Sequence, residues 1–215
     1  MLMTPNTNIL CLSPHPDDTE ISISGTISKF SNCRFDIYVL SCGNENENHD
    51  FQGEIRYKEV QKFWSAMNCK NINLKFSDEK YTTNLREDQW INKIEKIYNI
   101  KDYDMILVPP LLDNHCEHRT VNSIGKSLVR SSQCSLIEYQ TPSTMKEWIY
   151  NLAIEIDVKV FNKKVLYLEK SFKHQLESGR NYFSEEYLNI LSTDYVLNRK
   201  KVKHVEKFKI LESYL

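Results

Sequence analysis

Glycine is scarce in this sequence, and the loops that depend on glycine are missing. Only 5 of the 215 residues are glycine, and no Gly-x-Gly-x-x-Gly stretch occurs. A dinucleotide-binding loop needs that pattern, because its glycines allow the backbone to approach a pyrophosphate closely. The sequence therefore gives no support to a dinucleotide-binding protein.

Long apolar runs, excess charge and paired cysteines are also absent. No window reaches the ~18 consecutive apolar residues of a membrane-spanning helix, and the amino terminus has no secretory leader pattern. The formal net charge of −1 provides no field that would recruit nucleic acid. The six cysteines form no Cys-x-x-Cys pair. We therefore expect free thiols in a reducing cytoplasm, without a membrane span or a nucleic-acid partner; a homo-oligomer is compatible with the sequence.

Short apolar runs and amphipathic stretches alternate over residues 8–140. The apolar runs predict strands over residues 9–12, 35–40, 72–76, 105–108 and 136–139. The amphipathic stretches between them predict helices that begin near residues 18, 54, 85 and 116, the first of them capped by Asp18 or Thr19. This alternation is typical of a Rossmann-like, doubly wound α/β domain with a mainly parallel sheet.

The last third of the chain has a different character. It predicts a strand over residues 154–158, a basic helix over 160–175 and a helix over 184–203 with Ser184 as its cap, whereas the tail over 205–214 fits either a helix or a strand. A length of 215 residues suits one domain. We therefore expect a βα core over residues 8–140 and a C-terminal cap over 141–215 on the same domain.

Two prolines close the first predicted strand and create a turn rich in metal-binding groups. The turn reads Pro14-His15-Pro16-Asp17-Asp18. Each proline disfavours an immediate helix, and ligand sites in open α/β sheets lie at the carboxyl ends of strands. Charged groups so close to a buried strand need partners. A cation is the obvious partner for this imidazole and these two carboxylates.

The same order of elements recurs near the middle of the chain. The predicted strand over residues 105–108 is followed by two prolines, by Asp113-Asn114-His115-Cys116-Glu117-His118 and then by a helix. If both strands are parallel members of one sheet, their loops emerge at the same edge. His15, Asp18 and His118 would then meet around one ion.

These two motifs make the chain resemble the PIG-L/LmbE-like zinc-dependent N-deacetylases. That family carries (A/P)-H-P-D-D-x-E after its first strand, here residues 14–20, and usually H-P-D-H in its second motif, here His115-Cys116-Glu117-His118. Weaker likenesses cover residues 53–59 (R-x-x-E), 154–164 (dI…K) and 205–208 (aE-x-F). The resemblance implies one Zn²⁺, or another divalent transition metal, per chain. It also implies hydrolytic removal of an N-acetyl group from an amino sugar or a conjugate of one.

Zinc chemistry assigns roles to the residues of both motifs. A catalytic zinc takes three protein ligands and leaves one position open, and His15, Asp18 and His118 supply that set. Asp17 would act as the general base, and His115, as an imidazolium, would stabilise an oxyanion. The resemblance implies the same roles for Asp17 and His115.

Four further residues would support this site. Asp113 or Glu117 would orient His115 and hold it charged, or Glu117 would support His118. Glu20 either supports the ligands from behind or only places a charge in the first turn of its helix. Arg56 either contacts substrate, which the resemblance favours, or pairs with a neighbouring glutamate. The polar stretch over residues 41–52 is either a substrate loop or a solvated surface loop.

Three other functions remain open. The chain could be an amidase for a non-sugar amide or a non-catalytic relative that binds sugars. It could also be a phosphoacceptor receiver module, in which Asp17 and Asp18 would hold Mg²⁺ and Asp78 would accept the phosphoryl group. A receiver needs Ser or Thr after its fourth strand and Lys after its fifth, but Val108-Pro109 and Tyr139-Gln140 stand there. The receiver is therefore disfavoured.

Overall fold

The computed structural model describes residues 4–42, 53–130, 132–194 and 204–212. Within these ranges the strands are β1 (Asn8–Ser13), β2 (Arg34–Val39), β3 (Ile72–Phe76), β4 (Met105–Val108), β5 (Ser135–Tyr139), β6 (Leu152–Ile156) and β7 (His204–Glu212). The helices are α1 (Asp18–Lys29), α2 (Glu54–Met67), α3 (Glu87–Glu95), α4 (Cys116–Val129), α5 (Val158–Ser171), α6 (Lys173–Glu177) and α7 (Glu185–Ser192). Short 3₁₀ turns lie at Thr82–Asn84, Ile100–Asp102 and Asn181–Phe183.

The strands form one mixed sheet in the order β3-β2-β1-β4-β5-β7-β6. The first five pair in parallel, whereas β7 is antiparallel to both β5 and β6. This confirms the predicted α/β fold with a mainly parallel sheet. The tail is a strand and not a helix, because it fills the position between β5 and β6.

Alternating strand residues separate two cores on opposite faces of the sheet. Ile9 and Cys11 of β1 face a core that includes residues of α1, α2 and α5. Leu10 and Leu12 face the other core, which includes residues of α3 and α4. Side chains of a strand alternate between faces with a period of two residues, so an unbroken apolar run supplies both cores. No helix in the described part of the chain is long and apolar enough to cross a membrane.

The ends of three predicted helices can be compared with the structure. Asp17, and neither Asp18 nor Thr19, occupies the N-cap position of α1. The predicted basic helix is interrupted at Phe172, and α5 begins early because the Asp157 side chain accepts the N–H of Lys159 at 2.8 Å. Ser184 caps α7 as predicted. Residues 43–52 of the predicted loop over 41–52, and residues 195–203 of the helix predicted over 184–203, lie outside the described residues.

A buried ion pair ties the C-terminal strands to the first helix. Glu206 of β7 accepts hydrogen bonds from Lys164 Nζ at 2.6 Å and from the backbone N–H groups of Gly25 and Thr26 at 2.9 and 2.6 Å. Both charged residues are buried. The two weak C-terminal likenesses, over residues 154–164 and 205–208, therefore converge on α1, the helix that follows the turn of the first motif.

We expect Lys164→Met to destabilise the fold by about 3 kcal/mol, because removing one partner leaves a buried charge uncompensated. The methionine keeps most of the apolar stem, so packing changes little. Lys170→Met on the exposed side of the same helix is the matched control and should change stability by less than about 0.5 kcal/mol. Urea unfolding followed by circular dichroism measures both; equal losses would contradict a structural role for the pair.

Candidate metal centre

The two motifs meet because their strands are neighbours. Strands β1 and β4 are parallel and adjacent, with Ile9 opposite Met105 and Cys11 opposite Leu107. Their carboxyl ends therefore lie side by side at one edge of the sheet. The turn after β1 leads into α1, and the loop after β4 leads into α4. This is the arrangement that the repeated motif predicted.

Three donor atoms form a nearly equilateral triangle at this edge. His15 Nδ1 lies 3.2 Å from Asp18 Oδ2, and His118 Nε2 lies 3.3 Å from both of them. All three side chains are buried. Tetrahedral zinc with bonds of about 2.0–2.1 Å places neighbouring ligand atoms roughly 3.3–3.4 Å apart. The triangle therefore has the size of one face of a zinc tetrahedron.

A carboxylate lies behind each of the two imidazoles. Asp113 Oδ2 is 3.0 Å from Nδ1 of His118, and Glu117 Oε1 is 3.4 Å from Nε2 of His15. A carboxylate on the far nitrogen fixes the tautomer and leaves a lone pair on the nitrogen that faces the ligand position. The prediction that Asp113 or Glu117 holds the ring of His115 was wrong. The alternative that Glu117 supports His118 was also wrong, since its longer arm reaches across to His15.

The carboxylates favour positive charge at the centre of the triangle. Burial lowers the pKa of His118, but Asp18 and Asp113 outweigh burial and raise that pKa to about 10. Burial raises the pKa of Asp18, yet His118 and His15 hold it well below its usual range. Either a ring proton or a divalent cation can compensate the negative charge of the carboxylates. A bound cation would have to displace the proton.

His115 is the third imidazole of the cluster, but its hydrogen bonding differs. Its ring lies 4.7 Å from that of His15 and 4.8 Å from that of His118, close enough for all three to share an ion. Nδ1 of His115 accepts the backbone N–H of Glu117 at 3.3 Å, so the proton of the neutral ring lies on Nε2. Burial and the other two histidines lower the pKa of His115. The bonded Nδ1 and the lowered pKa favour a neutral ring with an Nε2–H donor over the expected imidazolium.

Arg56 pairs with Asp17. Its Nη2 lies 3.0 Å from Asp17 Oδ2, and its Nη1 donates to the carbonyl oxygen of Cys42 at 2.9 Å. Both charged side chains are buried beside the cleft. Of the two expected roles, pairing with a carboxylate is present, although the partner is an aspartate of the first motif and not a glutamate.

Glu20 contributes to the packing of α1 against α2. Its Oε1 accepts hydrogen bonds from Trp64 Nε1 and from Thr19 Oγ1. Complete burial raises the pKa of Glu20 to about 8. Its contacts fasten α1 to α2, and none of those found within the described residues reaches the three donor atoms. Glu20 does stand in the first turn of α1, where one of its two expected roles places it, but its carboxylate is bonded to Trp64 of α2 and Thr19 of α1 and not to a ligand.

The donor triangle lies in a cleft of about 470 Å³ whose far wall the sequence did not predict. This volume is within the range of small-molecule sites. The wall residues that were missed are Tyr81, Pro142, Ser143, Arg180, Asn181, Tyr182 and Tyr187. They come from three separate connections and α7, so no local motif marks them; the polar-aromatic run 180–182 is the only sequence signal.

Comparisons with known proteins find a matching family and similar folds. A family model described as PIG-L, GlcNAc-PI de-N-acetylase, matches residues 10–129, more than half of the chain. N,N'-diacetylchitobiose deacetylase from Pyrococcus horikoshii has a similar structure, with 19% identity, a TM-score of 0.74, and coverage of 95% of this chain and 84% of that chain.

Two further solved structures share the fold. The zinc-inhibited form of teicoplanin deacetylase Orf2 is 10% identical, with a TM-score of 0.73 over 95% of this chain and 97% of that chain. GalB, the 4-carboxy-2-hydroxymuconate hydratase from Pseudomonas putida KT2440, is 13% identical, with a TM-score of 0.72 over 96% of both chains. At these identities the likeness concerns the fold alone.

Gly53 allows α2 to place Arg56 beside Asp17, and Gly179 provides a matched control. Both have positive φ, 73° and 83°. A Cβ at Gly53 would lie 2.1 Å from Cβ of Cys42, whereas a Cβ at Gly179 would meet nothing within 4 Å. We expect Gly179→Ala to cost about 1–2 kcal/mol through its backbone conformation alone. Gly53→Ala should cost clearly more in urea unfolding; equal costs would contradict the close packing.

Proposed function

Because the chain belongs to the PIG-L, or GlcNAc-PI de-N-acetylase, family, we propose that it is a metal-dependent hydrolase that removes the N-acetyl group of an amino sugar or of a conjugate of one. The observation that carries this proposal is the triangle of His15 Nδ1, Asp18 Oδ2 and His118 Nε2, with edges of 3.2–3.3 Å. Asp17 and His115 line the same cleft. All five side chains come from the two motifs.

His15, Asp18 and His118 would hold one Zn²⁺ or another divalent transition metal. Two imidazole nitrogens and one carboxylate oxygen make a donor set typical of catalytic zinc, and a set of three leaves a coordination position open. When bound, such a metal polarises a carbonyl group and lowers the pKa of a water molecule to roughly 7. Glu117 and Asp113 would keep the two imidazoles in the ligating tautomer.

Asp17 would act as the general base. It is adjacent to the ligand Asp18, lines the cleft, and its Oδ2 is bonded to Arg56. A carboxylate in this place can take a proton from the attacking water and pass it to the departing amine. Arg56 would fix the orientation of the carboxylate, so its contribution to catalysis would act through Asp17.

His115 would stabilise the oxygen of the scissile amide as negative charge develops on it. The backbone N–H of Glu117 occupies Nδ1, which leaves Nε2–H as the donor. A fixed donor that is aimed at a developing oxyanion lowers the barrier of acyl transfer. A neutral imidazole can fill this electrophilic role, and a helix N-terminus is a known means of keeping it neutral. His115 stands at the N-cap of α4.

The cleft walls support a hydroxylated ring as the substrate. Three tyrosines, two arginines and an asparagine line the cleft, together with few aliphatic side chains. Aromatic rings pack on the apolar faces of a sugar, while hydroxyl and amide groups bond its hydroxyls. An acyl chain would require a more aliphatic lining. This composition favours an amino sugar over a non-sugar amide.

We propose that the chain forms one domain and that it acts in a reducing cytoplasm. The C-terminal strands β6 and β7 belong to the same sheet as the βα core, which supports a single domain over residues 1–215. All six cysteines are free thiols, and four of them are buried. Free thiols are typical of a reducing compartment.

Metal content and acetate release test the function together. We expect the purified protein to bind about one Zn²⁺ per chain and to release acetate from N-acetylglucosamine derivatives, with both properties lost on treatment with a chelator. His118→Ala should lower the affinity for Zn²⁺ strongly, since it removes one of three ligands. Undiminished zinc occupancy in His118→Ala would exclude the donor triangle. A zinc-loaded protein that releases no acetate from sugars, but hydrolyses other amides, would exclude the sugar substrate.

Asp17 and Asp18 are neighbours in sequence, but we expect their substitutions to act differently. Asp17→Asn should retain zinc and lose roughly 10²–10⁴-fold in kcat, because it removes a proton acceptor and no ligand. Asp18→Asn should lose zinc affinity itself, which metal analysis after dialysis measures. Asp88→Asn on the exposed surface of α3 is the control. Equal loss of zinc in the Asp17 and Asp18 variants would make Asp17 a ligand and require another base.

A further inference from the structure

We propose that Thr141 and Ser143 are positioning residues for the metal ligand His118, and that both act through the carboxylate of Asp113. Ser143 Oγ also lies 3.3 Å from Nδ1 of His118, so this hydroxyl contacts the ligand directly as well. This inference rests on the metal site of the proposed function. Both residues lie outside residues 10–129, the part of the chain that matches the family. They belong to the turn that follows β5, so a segment beyond the two motifs would complete the centre.

Four donors converge on the carboxylate of Asp113. Its Oδ1 accepts hydrogen bonds from Ser143 Oγ at 2.6 Å and from the backbone N–H of His115 at 2.8 Å. Its Oδ2 accepts bonds from Thr141 Oγ1 and from Nδ1 of His118, the latter at 3.0 Å. Asp113 is completely buried, so the surface of the protein offers it no bulk water in place of these donors.

Full occupancy fixes the direction in which Asp113 points. A carboxylate has about four lone-pair sites, and here each oxygen receives two donors. The group therefore cannot rotate without breaking hydrogen bonds, and Oδ2 stays directed at Nδ1 of His118. A proton held on Nδ1 leaves the lone pair on Nε2, the atom that faces His15 and Asp18. Removing both hydroxyls would leave Asp113 with one donor on each oxygen and would hold its orientation less firmly.

The backbone of the turn holds the two hydroxyls in place. Thr141 N donates to Thr144 Oγ1 at 2.8 Å, and Thr144 N donates back to the carbonyl oxygen of Thr141 at 3.2 Å. Asn114 N donates to the carbonyl oxygen of Ser143 at 3.0 Å, and Asp113 pairs with Thr144 in a short antiparallel bridge. The loop that carries Asp113 is thus joined directly to the turn that supplies the hydroxyls.

Substitutions that remove only the hydroxyls test the proposal. Thr141→Val and Ser143→Ala, singly and together, are compared with the parent for zinc affinity, by competition between the metal-free protein and a chromogenic chelator. We expect the double variant to bind zinc about 10–100-fold more weakly, the range typical when an outer partner of a ligand is lost. Thr141→Ser and Ser143→Thr keep a hydroxyl and should stay close to the parent.

Two controls separate positioning from a general loss of stability. Thr193→Val and Ser123→Ala remove hydroxyls that donate to the carbonyl oxygens of Asn189 and Arg119, so zinc affinity should not change. Urea unfolding of each metal-free variant measures its free energy of unfolding. This shows whether the free energy of zinc binding falls by more than the free energy of unfolding does. If the parent binds zinc and the double variant binds it with the same affinity, this inference alone is overturned. A parent that binds no zinc would overturn the proposed function and this inference with it.

Discussion

Buried carboxylates at the carboxyl edge of the sheet are the constraint on which the rest of this structure depends. Each of the four carboxylates at the centre is less than a tenth exposed: Asp17, Asp18, Asp113 and Glu117. An ionised carboxylate without partners costs several kcal/mol in such a place. Arg56 compensates the first of them, and imidazoles compensate the other three. The chain therefore has to bring cationic or polar donors to this edge, whatever else it does there.

Those donors come from connections throughout the chain and not from the face of one helix. Glu117 accepts the backbone N–H of Thr82, from the connection after β3, at 2.6 Å. Asp113 receives the hydroxyls of the turn after β5. Parallel strands place all of their following connections at one edge, so residues far apart in sequence reach the same carboxylates. The fold supplies the outer hydrogen bonds as well as the ligands.

The carboxylate of Glu117 links the second motif to two other connections. The second motif reads His-Cys-Glu-His, with glutamate where aspartate is usual, and the carboxylate contacts His15 on the neighbouring connection. Its other oxygen is held by the N–H of Thr82. The glutamate therefore joins the two motifs and the connection after β3. The backbone N–H of the same residue caps Nδ1 of His115, so one residue influences two of the three imidazoles.

Local patterns in the sequence determined the order and type of most elements and the two turns that carry the donor atoms. They could do so because strand alternation, helix amphipathicity and the ending of strands by proline depend on a few neighbouring residues. In addition, parallel β1 and β4 must end at the same edge of the sheet. Only the tertiary structure decided which carboxylate faces which imidazole and that Nδ1 of His115 accepts a backbone N–H. It also decided that Thr141 and Ser143 reach Asp113, and that Ser143, Tyr182 and Tyr187 line the cleft. Those outcomes depend on distances of a few ångströms between segments far apart in the chain, and no local pattern encodes such distances.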